Sequence, residues 1–272
     1  MRIVLVAFIK KMIKYHSKFI SKQLNLKSFI IMTVMMIMAT SAFSQNKSLP
    51  EGDCDSPKPE TDLRHCQLAW KALGKVDLHG CNFDGMILKG IKAAGSNFSR
   101  ASFNGADMRW ADFRNSDFNR TQLKKANLFH TNFDQADLND ADMGGAFLFG
   151  TTMHNASARS SNFLKAFMKD FNGSNSDFTG AQFSGNNMLK AYLVNSIFIA
   201  ANFEGTNLTG AAFEESDLSG AVFKNANLRG ASLLDAKFGG ADFLNADLRD
   251  VEMEDKDYQS IKSARNVPKY LK

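Results

Sequence analysis

A strict period of five residues organises most of this chain. Every fifth residue from Leu78 to Met253 is Leu, Phe or Met at 33 of 36 positions, and the residue two places earlier is Ala, Ser, Thr or Cys at 30 of 36. Neither an α-helix, with its period of 3.6, nor a strand, with its period of 2, produces this spacing. It indicates a coil that turns a corner every five residues, with one large and one small side chain inside and three side chains outside.

The units themselves, such as ADMRW, ADFRN, ANLFH and ADLRD, follow the pattern A-[DN]-[LF]-x-x. This pattern resembles the pentapeptide repeat family, and the resemblance covers about two thirds of the chain. It implies an all-β fold, a right-handed quadrilateral β-helix with four pentapeptides per coil. For this chain it implies about nine coils and, at a strand spacing of about 4.8 Å, a rod roughly 43 Å long.

Three units lack a large residue at the inward position. At Gly173 the bulk is supplied two residues earlier by Phe171, and at Ala93 it is supplied by Ile91, so we expect the interior volume to be kept there. The unit with Ala156 and Ala158 has no such exchange. We expect a thin spot in that unit, with a kink or a local cavity.

The basic character of the chain is concentrated at its N-terminus. The formal net charge is +5, but residues 1–44 hold seven basic residues and no acidic one, and the remainder is close to neutral. A Lys-rich segment, the apolar run 28–44 and small residues before Gln45 are typical of a secretory signal peptide, with an uncleaved membrane anchor as the alternative. Both interpretations predict export through the inner membrane, to the periplasm, the cell envelope or the medium.

Both ends of a solenoid need covering, and the flanking segments are candidates for this. We therefore divide the chain into a signal peptide or anchor (1–44), a linker and cap helix (45–75), the repeat β-helix (76–255) and a C-terminal cap or tail (256–272). The cap helix is predicted over 61–73, with an apolar face of Leu63, Cys66, Trp70 and Leu73. Cys54 and Cys66 lie beside it, either as a disulfide or as two free thiols.

Nothing in the sequence points to catalysis. The chain lacks the zinc, nucleophile-elbow and phosphate-loop motifs, and a filled β-helix leaves no interior pocket. The histidines of the repeat, His79, His130 and His154, fall on different faces, which disfavours a shared metal site. We expect no enzyme activity, no cofactor, no metal and no small-molecule substrate.

One outward column carries acidic residues at the slot before the large one. It contains, coil by coil, Asp77, Asn97, Asp117, Asp137, Ser157, Asp177, Ile197, Asp217 and Lys237. Some cytoplasmic pentapeptide repeat proteins that protect DNA gyrase are described as mimics of DNA, and a stripe of carboxylates is compatible with that function. The structural alternative is that Asp and Asn at this slot bond to the backbone at the corners.

A second outward column breaks the polar pattern. Aromatic and apolar side chains are placed on a few contiguous coils of the face that contains Leu128, with basic residues beside them. Such clusters mark contact surfaces, so we identify a candidate binding site in Arg109, Trp110, Phe129, Phe147, Phe149, Phe167, Lys169 and Leu189. Tyr192, Val194, Ile197 and Ile199 extend it around the rod.

The sequence therefore predicts a non-enzymatic, exported scaffold that associates with a protein partner or with itself through this aromatic patch. A DNA-mimicking, topoisomerase-protecting protein is the alternative if the chain stays in the cytoplasm, and a secreted effector or glycan-binding surface protein is another. We expect no nucleic-acid partner, and membrane contact only through an uncleaved N-terminal segment.

Overall fold

The structure is a computed structural model that describes residues 48–254, Ile261 and Val267. The predicted leader (1–44) and most of the predicted tail (256–272) lie outside the described residues. Ile261 and Val267 are buried members of the hydrophobic core. Among the described residues, no helix has the length and apolar character needed to cross a bilayer.

Each pentapeptide forms the same corner. In the unit 106–110, Ala106 and Met108 are completely buried, Asp107 between them makes a β-bridge, and Arg109 and Trp110 form a turn. The alternation puts the small and the large residue inside and leaves three positions outside. The inward pair that the period predicts is therefore confirmed.

The units stack into a quadrilateral β-helix. Parallel bridges join residues twenty apart, for example Asp107 with Asn127, and this register continues from Asp62 to Glu252. A separation of twenty residues corresponds to four pentapeptides per coil. Within 48–254 the pairing consists of single-residue bridges, which lie at the second position of each unit from Asp62 to Glu252 except that of Gln67, with no longer strands.

The backbone amides of a unit are satisfied in a repeating way. Four of every five donate to main-chain carbonyls, as in the bonds Asp117 N to Ser96 O, Phe118 N to Asp137 O, Arg120 N to Asn139 O and Thr121 N to Phe118 O. The fifth amide, that of Asn119, donates to Oδ1 of Asp117 at 2.8 Å. The Asp or Asn before the large residue thus completes the hydrogen bonding of the corner.

The core contains continuous stacks of phenylalanine rings. Along one column, Phe163, Phe183, Phe203, Phe223 and Phe243 lie nearly parallel, with centroids 4.9–5.0 Å apart. This separation is close to the spacing of paired strands, so identical side chains one coil apart meet face to face. The stacking ties each coil to the next by side chains as well as by backbone bonds.

The core contains the two expected units in which the large side chain stands at the usual small position and the small residue at the usual large position. Phe171 is fully buried, and a Cβ atom at Gly173 would lie 2.7 Å from its ring, so Phe171 fills the space that Gly173 leaves. Ile91 and Ala93 are also buried. At the predicted thin spot, the bridges of Ser157 to Asp137 and to Asp177 continue the register without a break.

The predicted cap helix over 61–73 is wrong. These residues form turns and bridges of the same coil, with Leu63 and Leu68 buried in the core and Trp70 exposed. The repeat therefore begins before residue 76. Leu63, Leu68 and Leu73 already follow the period of five. Leu63, Cys66, Trp70 and Leu73 in the same segment also have the spacing of one helix face, so the sequence alone fits both patterns.

The N-terminal edge is covered by an extended segment instead. Glu51 bridges to Asp62, with the bonds Gly52 N to Asp62 O at 2.9 Å and Asp62 N to Pro50 O at 2.8 Å. A disulfide between Cys54 and Cys66 holds this segment on the first coil. The backbone groups that the first coil would otherwise leave unpaired are thus engaged.

The corner bond predicts different effects for two substitutions of Asp117. Asp117→Ala removes the acceptor of the Asn119 amide and should lower the free energy of unfolding by about 1 kcal/mol. Asp117→Asn keeps an acceptor oxygen and should change it by less than about 0.5 kcal/mol. Urea unfolding of the purified proteins measures both, and equal losses would contradict the assignment of the bond.

The ring stack predicts a graded response at Phe183, whose ring contacts the rings of Phe163 and Phe203. Phe183→Ala should cost about 3–5 kcal/mol, because it opens a cavity in a rigid core. Phe183→Leu should cost clearly less, since Leu123 occupies the equivalent position three coils earlier. Thermal and urea unfolding measure the two losses, and an Ala variant as stable as the Leu variant would show that the stack does not stabilise the rod.

Candidate functional site: an outward aromatic face

The aromatic patch expected from the sequence is a contiguous surface in the structure. Phe147 and Phe167 occupy bridge positions on successive coils, and Phe129 and Phe149 are the first turn residues of their units. All of them therefore project outward from one side of the β-helix. We call Trp110, Phe129, Phe147, Phe149 and Phe167 the aromatic face.

The five rings contact one another in an unbroken series. Phe147 and Phe167 stack with centroids 5.1 Å apart, and Phe129 and Phe149 stack at 5.5 Å. Trp110 meets Phe129 edge to face at 5.5 Å. Phe147 is 39% exposed and Trp110 is 44% exposed, so the face is an apolar surface in contact with solvent.

The remaining predicted residues lie at the margins of the aromatic face. The Lys169 ammonium lies 5.7 Å from the centre of the Phe149 ring, and the Arg109 guanidinium lies 5.5 Å from that of Trp110. Leu189 is half-buried and lies one coil after Lys169 in the same column. A depression of about 270 Å³ is lined by Arg109, Trp110, Asn127, Phe129 and Phe147.

Arg109 is held by an acidic neighbour. Its Nε and Nη2 atoms donate to the two carboxylate oxygens of Asp107 at 2.7 and 2.6 Å. The hydrogen bonds from Arg109 lower the pKa of the Asp107 carboxyl from its ordinary value, and the same bonds raise the pKa of Arg109. The pair is therefore ionised and mutually compensated at neutral pH, so it gives this margin polarity with little net charge.

The surface extends further towards the N-terminus than the sequence analysis placed it. The Lys89 ammonium lies 4.6 Å from the Trp110 ring centre and 5.7 Å from that of Trp70. Trp70 is 62% exposed and covers Gly90, where a Cβ atom would overlap the indole. Trp70 stands forty residues before Trp110 and therefore lies in the same outward column. The interpretation of 61–73 as a cap helix kept it out of the predicted surface.

His130 is a second residue that the sequence analysis did not include. Its ring meets Phe129 at 4.3 Å and Phe149 at 5.8 Å, edge to face in both cases. It lies against Gly150, where a Cβ atom would be 2.5 Å from the imidazole. The sequence feature that could have identified His130 is its position next to Phe129, as the second turn residue of the same unit.

The aromatic face replaces residues that stabilise the fold. Phe147 and Phe167 occupy the slot where Asp or Asn would accept the corner amide, and no hydrogen bond in the described structure engages the amides of Phe149 and Lys169. Trp70 and Trp110 have φ of 61° and 57°, in the left-handed region that suits Gly and Asn. Aromatic side chains at these four positions are therefore not explained by the needs of the coil.

Further exposed apolar side chains lie on the coil that follows the aromatic face. Tyr192 is 61% exposed, and Ile197 and Ile199 are also exposed. Like Phe147, Tyr192 and Ile197 stand at bridge positions where Asp or Asn is usual. The apolar surface thus continues onto other sides of the rod at this level.

The acidic column is engaged in the fold. Asp117, Asp137, Asp177 and Asp217 each accept the amide two residues later, at 2.8–3.0 Å. Asp177 also pairs with Arg159 at 2.6 Å. The structural interpretation of these carboxylates, in which they bond to the backbone at the corners, is therefore confirmed.

One group of side chains in the described residues has the composition of a metal site. The ligand atoms of Cys54, His65 and Cys66 lie within 4.8 Å of one another. Because the two sulfur atoms are bonded to each other, neither offers a thiolate, and the group retains one imidazole as a donor. This geometry does not amount to a metal centre.

Comparison with known proteins gives a family and a fold. Pentapeptide repeats match in eight copies over residues 77–120, 116–155, 176–214 and 216–255. No curated protein matches the chain.

Solved structures with similar folds include two trypsin-treated forms of QnrB1, described as a plasmid-mediated fluoroquinolone resistance protein. One form is 23% identical with a TM-score of 0.64, covering 71% of this chain and 96% of its own. The other form is 25% identical with a TM-score of 0.54, covering 71% and 95%. HetL from Nostoc sp. strain PCC 7120 is 23% identical with a TM-score of 0.44, covering 68% and 86%. The repeat matches extend over more than half of the sequence, and the chain belongs to the pentapeptide repeat family.

Proposed function

We propose that this chain is a non-enzymatic, exported scaffold that binds a protein through the aromatic face. The observation that carries the proposal is the unbroken contact of five outward rings on contiguous coils, flanked by Lys89, Arg109 and Lys169. An exposed aromatic surface with a polar margin has the composition of a protein contact. The backbone bonds given up at Phe149 and Lys169 support a role for the rings outside folding.

Export is supported by two independent features. The N-terminal segment has the layout of a secretory signal, and the disulfide between Cys54 and Cys66 is of the kind that persists in oxidising compartments. In this proposal the leader is removed before Gln45, and the rod acts in the periplasm, at the envelope or outside the cell.

Mimicry of DNA, the alternative, is less well supported by the described residues. The acidic column uses its oxygens for corner amides, and Arg159 partly neutralises it. The fold shared with QnrB1 concerns architecture, and an exported chain would not meet a cytoplasmic topoisomerase. A glycan-binding role is also less favoured, since the stacked rings cover one another's faces and Lys89 lies over Trp110.

Export predicts the mass of the protein in its native cells. We expect the protein to be recovered from the envelope or the medium, with a mass that corresponds to a chain beginning at Gln45. Fractionation followed by mass spectrometry of the intact protein measures this. A full-length chain in the membrane fraction would indicate the anchor, whereas a full-length soluble chain in the cytoplasm would contradict export.

The aromatic face predicts where the protein meets its partner. A photo-crosslinking amino acid in place of Phe149 should give covalent protein adducts in living cells, because this position lies inside the contact. The control carries the same probe in place of Leu164. This leucine is exposed and occupies the equivalent turn position on the preceding side of the rod. We expect at least tenfold more adduct at Phe149, and equal yields at the two positions would count against the proposed face.

A further inference from the structure

We propose that the partner at the aromatic face is a second copy of this chain, packed antiparallel about a two-fold axis that passes between the two Phe149 side chains. The inference rests on the proposed function, since it assumes that the aromatic face is a contact surface. It adds the identity of the partner and the register of the two rods.

The regular coil makes the consequences of this symmetry explicit. In an antiparallel pair, each outward column lies against the same column of the partner, and the coil of Leu148 lies against itself. A coil that lies a given number of coils before Leu148 then faces the partner's coil that lies the same number of coils after Leu148. Phe147 and Phe149 therefore meet their own copies, which makes the centre of the contact apolar.

The pairs around this centre are electrostatically favourable, because each joins a cation to an aromatic ring or an imidazole to a carboxylate. Phe129 faces the partner's Lys169, in the kind of cation–π contact that Lys169 already makes with Phe149 at 5.7 Å. Exposed His130 faces the partner's exposed Asp170, and Trp110 faces the partner's Lys190. The two-fold axis repeats each of these pairs, so the contact contains every one twice.

The pairs further out are complementary in size. Trp70, a large and exposed side chain, faces the partner's Gly230, and Gly90 faces the partner's Gly210. Ile87 faces the partner's Asn207 in the column of bridge residues. The aromatic side chain at the end of the surface thus has room where the opposing column carries no side chain.

Charge also selects this register over its neighbours. From Lys89 to Arg229, the proposed arrangement brings no two like charges together in the three outward columns. A shift of one coil in one direction would put Arg109 against the partner's Lys169, and a shift in the other would put Lys89 against the partner's Arg229.

A parallel pair is disfavoured for the same reason. This side of the rod has three outward columns: the bridge residues, the first turn residues and the second turn residues. A parallel pair would reverse their order across the contact, so the middle column, that of the first turn residues, would lie against itself. Lys89, Arg109 and Lys169 would then each meet their own copies. Such contacts between like charges are unfavourable at an interface.

The test is the oligomeric state of the protein as the cell processes it, measured by size exclusion with light scattering and by sedimentation. We expect a dimer. His130→Asp should raise its dissociation constant at least tenfold, because it sets a carboxylate against the partner's Asp170 at two places. Adding Asp170→Lys to the same chain should restore the dimer, since each pair then joins opposite charges.

Two controls accompany these variants. Gln135→Asp places the same new carboxylate at the equivalent turn position of the next side and should leave the dimer intact. Phe149→Asp should abolish the dimer, because it sets two carboxylates together at the two-fold axis, whereas Leu164→Asp should not affect it.

The outcomes separate this inference from the proposed function. Loss with His130→Asp and recovery with the double variant would support the register. A dimer lost with Phe149→Asp but insensitive to His130→Asp would overturn the register, and so would failure of the double variant to recover. A monomer whose Phe149 position crosslinks to a different protein would overturn the second copy as partner and leave the proposed function standing. A dimer insensitive to Phe149→Asp, without crosslinks at that position, would overturn both.

Discussion

The whole molecule depends on one repeated corner. In the typical unit four backbone amides bond to carbonyls, and the fifth donates to the Asp or Asn before the inward large residue, as Asn119 does to Asp117. Because bonds between coils join residues nineteen to twenty-one apart, every coil is fixed by the coils on either side of it. The inward pair, such as Ala106 and Met108, fills the space that the corners enclose. Backbone bonding and core packing therefore impose the same period.

This arrangement separates stability from function along the sequence. The inward positions and the Asp or Asn slot maintain the coil, the second turn position has a left-handed backbone, and the first turn position is free to vary. The aromatic face uses turn positions for Phe129 and Phe149, and it also takes two of the stabilising slots for Phe147 and Phe167. At Phe147 and Phe167 an outward aromatic side chain replaces the Asp or Asn that would accept the corner amide. This loss of a stabilising hydrogen bond is the strongest indication of a contact surface in this rod.

The sequence was sufficient for the coil because its period is set by local geometry that every unit repeats. It also located most of the aromatic face, since outward columns follow directly from the register. It failed where two patterns coincide. Leu63, Leu68 and Leu73 follow the period of five, whereas Leu63, Cys66, Trp70 and Leu73 also fit one face of an amphipathic helix. The helix interpretation left Trp70 out of the outward surface. The pairing of Cys54 with Cys66 could not be decided either, because it depends on how residues 50–52 lie against the first coil.

The central claim is that the aromatic face is covered when the protein is in its native setting. Carbene footprinting of whole cells, compared with the purified protein at high dilution, measures this directly. We predict that labelling of Phe147 and Phe149 falls several-fold in cells, while labelling of the exposed Leu164 and Leu244 on the preceding side stays the same. Equal labelling of Phe147 and Phe149 in both settings would contradict the account.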